Sequence, residues 1–81
     1  MNLKEFTEYL VKSIVKEPDM VSVQQFGGEE DATILEIIVH EGDMGVVIGR
    51  NGKMASAIRT LVQAHAYILG LKNIKINIDS F

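Results

Sequence analysis

A chain of 81 residues with no cysteine and a formal net charge of −3 excludes several protein classes at once. The length suits one domain, and the lack of cysteine excludes a disulfide framework and a thiolate metal site. Because no apolar stretch approaches the ~20 residues that span a bilayer, and the N-terminus lacks the apolar run of a signal peptide, we expect a single soluble domain over residues 1–81 in the cytoplasm, with no membrane association.

The first predicted element is a helix that begins after Asn2 and runs to about Lys16. Asn2 and Glu5 have the spacing of a capping box, in which each side chain accepts a hydrogen bond from the other's backbone. Pro18 should end the helix, because proline disfavours helical geometry in the residue before it. The apolar residues that recur at helical spacing are Leu3, Phe6, Leu10 and Ile14.

Two strands joined by a turn are predicted next. Residues 20–26 alternate between apolar and polar side chains, residues 27–31 combine two glycines with three acids, and residues 33–40 predict a second strand. This second strand is apolar on both faces, which favours a central position in a sheet. The acid run Glu29 to Asp31 lacks the spacing of a calcium loop, so we predict loop chemistry there and no metal site.

The second half of the chain predicts two helices and a strand. Asp43 is placed to cap a short helix over Met44–Ile48, and a long helix should run from Lys53 to Leu69. Gly70 then stands where a left-handed residue commonly terminates a helix. From residue 74 to residue 79 isoleucine alternates with polar residues, as in a strand with one buried face.

The order of these elements predicts an α+β fold. The predicted order is helix, strand, strand, short helix, long helix, strand (α-β-β-α-α-β). The connection from the second strand to the last contains two helices and is long enough for a parallel crossover. We therefore expect a three-stranded mixed sheet with helices packed on one face.

The chain is organised around the turn between the two later helices. Gly49 and Gly52 lie three residues apart, with Arg50 and Lys53 beside them. Free backbone amides at a helix start, together with mobile positive charge, favour a phosphate ligand. The surrounding sequence fits this, since residues 44–78 contain five cationic residues and no acid, whereas residues 1–43 contain seven more acids than bases.

Other glycine motifs can be compared with this turn. A Walker A loop and a dinucleotide-binding loop both need a further glycine at position 47, which is Val47, and Walker A also needs a hydroxyl residue at position 54, which is Met54. The KH clamp needs only the pair Gly49 and Gly52, apolar residues before it and an amphipathic helix after it. The alternative without function is that the glycines merely allow a tight turn between helices.

The residues at this turn resemble a known family. The strings Val47-Ile48-Gly49-Arg50-Asn51-Gly52-Lys53 and Ala57-Ile58-Arg59-Thr60-Leu61 are similar to the Gly-x-x-Gly core of KH RNA-binding domains. Together with the length and element order, they resemble the small bacterial single-KH-domain proteins of the KhpA type. This resemblance implies that the predicted α-β-β-α-α-β order is the type II KH arrangement. One departure is Ala55, at a position where many KH domains carry a large aliphatic residue.

The resemblance implies that the protein binds single-stranded RNA, and this module contacts about four nucleotides. It also implies a role as a post-transcriptional regulator or RNA chaperone. The glycines would allow close backbone approach, Arg50 and Lys53 would contact phosphate, and an apolar set would form the floor under the bases. The predicted RNA-binding residues are Val47, Ile48, Gly49, Arg50, Asn51, Gly52, Lys53 and Ile58.

Catalysis has little support in the sequence. His40 and His65 lie 25 positions apart without a pattern of serine, cysteine or carboxylate that would organise a nucleophile, so we predict no enzyme activity and no cofactor. The alternative to RNA binding is a protein-interaction module in which the KH fold serves chiefly as a dimerisation surface.

A dimer is expected in either case. A single domain that contacts few nucleotides should bind weakly, and a second domain on the same RNA raises the affinity. The resemblance also implies a homodimer and a heterodimer with a larger KH-containing protein of the KhpB type. We expect the dimer interface to lie near the glycine turn and the long helix, so that dimerisation and RNA binding would compete for residues 49–58.

Overall fold

The computed structural model describes residues 1–27 and 32–81, and its elements follow the predicted order. The predicted turn over residues 27–31 and its acid run lie outside the described residues, except for Gly27. Short 3₁₀ turns precede the first strand and flank the second helix, at Pro18–Met20, Glu41–Asp43 and Arg50–Gly52. The helices and strands are α1 (Leu3–Lys12), β1 (Ser22–Gly27), β2 (Thr33–Val39), α2 (Met44–Ile48), α3 (Lys53–Ile68) and β3 (Ile74–Ser80).

The three strands form one mixed sheet in the order β1-β2-β3. β2 pairs antiparallel with β1 and parallel with β3, and Leu35 lies opposite Gln25 on one side and Ile76 on the other. The predicted α+β fold, the central position of the second strand and the parallel crossover are confirmed. A parallel pair requires a long connection, and α2 and α3 provide it.

The core lies between one face of the sheet and the helices α1 and α3. Along β2, burial alternates with the pleat: Thr33, Leu35 and Ile37 are buried, while Ile34 and Glu36 on the opposite face are half-buried. Helix α1 packs on β1 and on α3, and α3 packs on β3. The buried apolar residues of this cluster are Leu3, Val11, Val23, Leu35, Ile37, Val39, Val47, Ile58, Val62, Ala66 and Ile76.

Helix α1 begins as predicted and ends earlier than predicted. The capping box is present, with the backbone N–H of Glu5 donating to the Asn2 side chain at 2.8 Å and the Asn2 N–H donating to the Glu5 carboxylate at 3.2 Å. The helix stops at Lys12, about four residues before the predicted end at Lys16. Beyond the helix, the backbone N–H groups of Lys16 and Glu17 donate to an acceptor from another part of the fold.

That acceptor is the carboxylate of Asp43. Its two oxygens accept hydrogen bonds from the backbone N–H groups of Lys16 and Glu17, at 3.1 and 3.0 Å, and its side chain is almost completely buried. Asp43 occupies the predicted N-cap position of the helix Met44–Ile48, but its side chain makes no hydrogen bond to that helix, so the prediction of side-chain capping is wrong. It instead fastens the connection after α1 to the start of α2, across 26 and 27 residues of sequence.

Helix α3 follows the prediction closely. It runs from Lys53 to Ile68, one residue short of the predicted end. Gly70 has the predicted left-handed conformation, with φ of 81°. The N–H of Leu71 donates to the carbonyl of Ala66 at 2.9 Å, and the N–H of Gly70 donates to that of Tyr67 at 3.0 Å, as expected where a left-handed residue ends a helix.

Candidate nucleic-acid interface

The turn between α2 and α3 contains three residues with positive φ. Asn51 has φ 57° and ψ 27°, and Gly52 has φ 74° and ψ 11°. These angles are those of a type I′ turn, in which Asn-Gly is the preferred central pair. The N–H of Lys53 donates to the carbonyl of Arg50 and closes the turn. The local sequence therefore specifies the shape of the turn.

The two glycines are required for different reasons. Gly49 has φ of 77°, and a Cβ placed on it would lie 2.5 Å from the Cβ and 2.7 Å from the backbone N of Met54, so the turn packs tightly on the first turn of α3. A Cβ on Gly52 would meet nothing within 4 Å, so Gly52 is required for its φ of 74° alone. The space above Gly52 is open, and a ligand backbone can approach it closely.

The polar side chains of the turn are exposed. Arg50, Asn51 and Lys53 all lie at the surface. Among residues 1–27 and 32–81, none of these three side chains takes part in an ion pair or a side-chain hydrogen bond; the ion pair found there joins Lys12 and Glu8 at 3.5 Å. A phosphate group could therefore bind to these cations without first breaking a contact to a described residue.

The apolar residues of the predicted site lie at different depths. Val47 is 0% exposed and Ile58 is 4% exposed, so both belong to the core and support the turn from below. Ile48 is half-buried beside Gly49. Val46 is 42% exposed and is absent from the predicted set, because a five-residue helix shows too little periodicity to reveal which face is buried. The assignment of RNA contacts to these residues stays a prediction.

The outer surface of α3 continues from the turn and carries an apolar stripe. Counted from its first residue, the other members follow after four, seven and eleven residues, so all of them share one face of the helix. Leu61 is 49% exposed and Ile68 is 77% exposed. The residues of this apolar stripe are Ala57, Leu61, Ala64 and Ile68, all of them exposed.

Both histidines have structural contacts. The N–H of Gly42 donates to Nδ1 of His40 at 3.0 Å. The ring of His65 stacks on Phe6, with 4.4 Å between the centroids, and its Nε2 lies 2.8 Å from the carbonyl of Met1, which joins α3 to the N-terminus of α1.

Within the described part of the chain, no group of three His, Cys, Asp or Glu residues could hold a metal ion. None of the described helices combines the length and apolar character needed to cross a membrane.

Most of the chain is similar in sequence to known proteins. A family model described as the KH domain of KhpA/KhpB matches residues 4–78. The chain is 48% identical over 64 residues to a protein of Clostridium perfringens named RNA-binding protein KhpA, and this match covers 79% of this chain and 84% of that protein. It is 47% identical over 62 residues to the protein of the same name from Borreliella burgdorferi, covering 76% and 74% of the two chains.

One solved structure shows the same fold within a larger protein. The chain superimposes on Era of Aquifex aeolicus, crystallised with GDP and aluminium fluoride, with a TM-score of 0.66 and 20% identity. The match covers 98% of this chain and 30% of the Era chain. At this identity the likeness concerns the fold alone.

Proposed function

Because the chain belongs to the KhpA/KhpB family of KH domains, we propose that it is one KH domain over residues 1–81 that binds single-stranded RNA through the turn from Gly49 to Lys53. The observation that carries this proposal is the open space above Gly52 between two exposed cations, Arg50 and Lys53. A nucleic-acid backbone can approach the glycine there, and each cation can reach a phosphate.

The remaining site residues take their roles from their depth. Asn51 lies at the tip of the turn, where its exposed amide can donate and accept hydrogen bonds. Val46 and Ile48 offer apolar surface beside the turn, and we add Val46 to the predicted set on this ground. Val47 and Ile58 hold the backbone of the turn in place from the core.

The proposed role is that of a cytoplasmic protein without enzyme activity, acting as a post-transcriptional regulator or RNA chaperone. Its homologues are named for RNA binding and carry a KH domain. The turn offers positive charge, backbone amides and apolar surface, which suit holding RNA. Such a protein acts by occupying RNA.

The salt dependence of RNA binding tests the proposal. Each phosphate contact on a single strand contributes about −0.7 to the slope of log K against log salt concentration, so contacts from Arg50 and Lys53 predict a slope of about −1.4. Between about 50 and 200 mM salt, affinity for a short single-stranded RNA should fall about sevenfold. Fluorescence anisotropy with a labelled oligonucleotide measures this. Failure to bind at ~50 mM salt, where phosphate contacts are strongest, would contradict the proposal.

A second candidate function, assembly through α3, is favoured by the apolar stripe. We propose that a second copy of the chain, or the KH domain of a larger KhpB-type protein, packs on Ala57, Leu61, Ala64 and Ile68. Alanines at two of these four positions let another backbone approach closely. The stripe overlaps residues 49–58 only at Ala57, so we now propose neighbouring surfaces for RNA and partner in place of the competition expected from the sequence.

Replacing Leu61 by glutamate tests this interface. Leu61 is half exposed, so the variant should fold, whereas a charge at Ile58 would enter the core. Sedimentation at micromolar to millimolar concentration should show a dimer for the unaltered protein and a monomer for Leu61→Glu. The control Gln63→Glu adds the same charge at an exposed position outside the stripe and should leave the dimer intact. A dimer that survives Leu61→Glu would contradict the proposed surface.

A further inference from the structure

Beside the apolar stripe, α3 carries a second exposed stripe of different chemistry. Its four residues are offset by one position from the apolar stripe and have the same spacing of four, seven and eleven residues. They form a polar face that ends in a tyrosine. The residues of this polar stripe are Ser56, Thr60, Gln63 and Tyr67, and each is exposed.

The polar stripe begins at the glycine turn. Lys53 lies one helical turn before Ser56, so exposed polar groups continue from the proposed phosphate site along the helix. From Lys53 to Tyr67 the distance along the axis is about 21 Å. At about 3.4 Å per nucleotide of a stacked strand, this is room for about six nucleotides.

The composition of the stripe suits a polyanion. Helix α3 contains no acid, and Arg59 flanks the stripe as a further exposed cation. Solvated helix faces commonly combine charges of both signs, which stabilise one another at spacings of three and four. The Thr60 hydroxyl donates to the carbonyl of Ser56 at 3.0 Å and keeps its lone pairs as acceptors, while Gln63 offers both a donor and an acceptor.

Tyr67 is the most exposed of the large apolar and aromatic side chains described, at 84%. Tyrosine is on average partly buried, because its ring is hydrophobic. A nucleobase stacked on the ring would cover it, and such stacking does not depend on the base. The next residue, Ile68, belongs to the apolar stripe about 100° away around the helix, so the two side chains point to different surfaces.

We propose that the polar stripe is a second RNA subsite, which carries the strand away from the glycine turn and stacks one base on Tyr67. The inference rests on the proposed function, since the strand enters at Arg50 and Lys53. It extends the ligand from about four nucleotides, as expected for the module alone, to a single strand of about ten. RNA and a second copy of the chain would then occupy adjacent stripes of the same helix.

The test compares oligouridines of four and ten nucleotides by NMR titration of the intact protein. A ten-nucleotide strand also gains from the greater number of positions at which the turn can bind, so the decisive quantity is the difference between variants on the same oligonucleotide. Tyr67→Ala should weaken binding of the longer strand about tenfold and leave the shorter one unchanged, because stacking on one aromatic ring is worth about one factor of ten. Tyr67→Phe should retain the affinity.

Tyr9→Ala is the matched control, because Tyr9 is also well exposed, at 62%, and lies on α1. Equal effects of Tyr67→Ala and Tyr9→Ala on the longer strand would overturn the subsite. The subsite would also be overturned if Tyr67→Ala changed the sedimentation of the protein without changing its RNA affinity, because this would place Tyr67 in the interface between copies. If the unaltered protein binds neither oligonucleotide, the proposed function fails as well; if it binds both and only the Tyr67 effect is missing, the subsite alone fails.

Discussion

Replacing Arg50 and Asn51 by aspartates should abolish RNA binding while leaving the fold intact. The double variant replaces one cation by an anion and adds a second negative charge at the tip of the turn. Loss of a charge-assisted hydrogen bond to phosphate, together with the new repulsion, should cost about 3 kcal/mol or more, which is roughly a 100-fold loss of affinity. Binding to a short single-stranded RNA should become undetectable in an anisotropy titration.

The fold should tolerate this change because both side chains are exposed. Aspartate, like the asparagine that it replaces in Asn51→Asp, is one of the few residue types that accept a left-handed backbone. The circular dichroism spectrum and the midpoint of thermal unfolding should therefore change little. Unaltered RNA affinity in a folded double variant would contradict the assignment of the turn.

The chain contains a closely matched control for this experiment. Lys72 and Asn73 are also a cation followed by an asparagine, and Asn73 has φ of 54°, close to the 57° of Asn51. The carbonyl of Asn73 accepts from the N–H of Thr33, so this pair lies at the start of β2, whereas the glycine turn follows the end of β2. Lys72→Asp with Asn73→Asp makes the same change in charge and should preserve most of the RNA affinity.

Replacing Asp43 by alanine should destabilise the protein by about 2–4 kcal/mol, because it leaves two backbone N–H groups at Lys16 and Glu17 without their acceptor. For a domain of this size, such a loss lowers the unfolding midpoint by about 10 °C or more. Urea unfolding followed by circular dichroism, at one fixed protein concentration, measures the change in free energy.

Two further variants make the Asp43 result specific. Asp43→Asn keeps one oxygen acceptor and should lose about half as much stability, since its amide group faces the second N–H. Asp19→Ala removes an exposed carboxylate and should stay within about 0.5 kcal/mol of the unaltered protein. If Asp43→Ala lost no more stability than Asp19→Ala, the Asp43 carboxylate would not hold the connection after α1 in place.

Much of the fold could be predicted because its signals are local. The capping box of Asn2 and Glu5 is complete within three residues, and the left-handed Gly70 marks the end of α3 at the expected place. The apolar residues on both faces of β2 favoured a central position in the sheet before any pairing was known. The capping box and the helix end are stabilised by contacts between neighbours in sequence, and the apolar character of β2 can be read along the chain itself, so the sequence alone was enough to predict these features.

The sequence by itself also determined the centre of the candidate site. The Asn-Gly pair specifies a type I′ turn, and the two cations beside it follow directly in the chain. The different roles of the two glycines were not visible, because the short distance between Gly49 and Met54 depends on how the turn packs against α3. Both glycines satisfy the same motif in the sequence.

Only the tertiary structure decided where Asp43 points and which apolar residues near the turn face solvent. Asp43 stands at a position typical of a helix cap, yet its hydrogen bonds reach residues 26 and 27 positions away. Val46 and Val47 are identical side chains in adjacent positions, and the packing of α2 buries Val47 and leaves Val46 exposed. A hydrogen-bond acceptor chooses among all donors that the fold brings near, and burial depends on the orientation of a helix against its neighbours, so neither can be determined from local sequence.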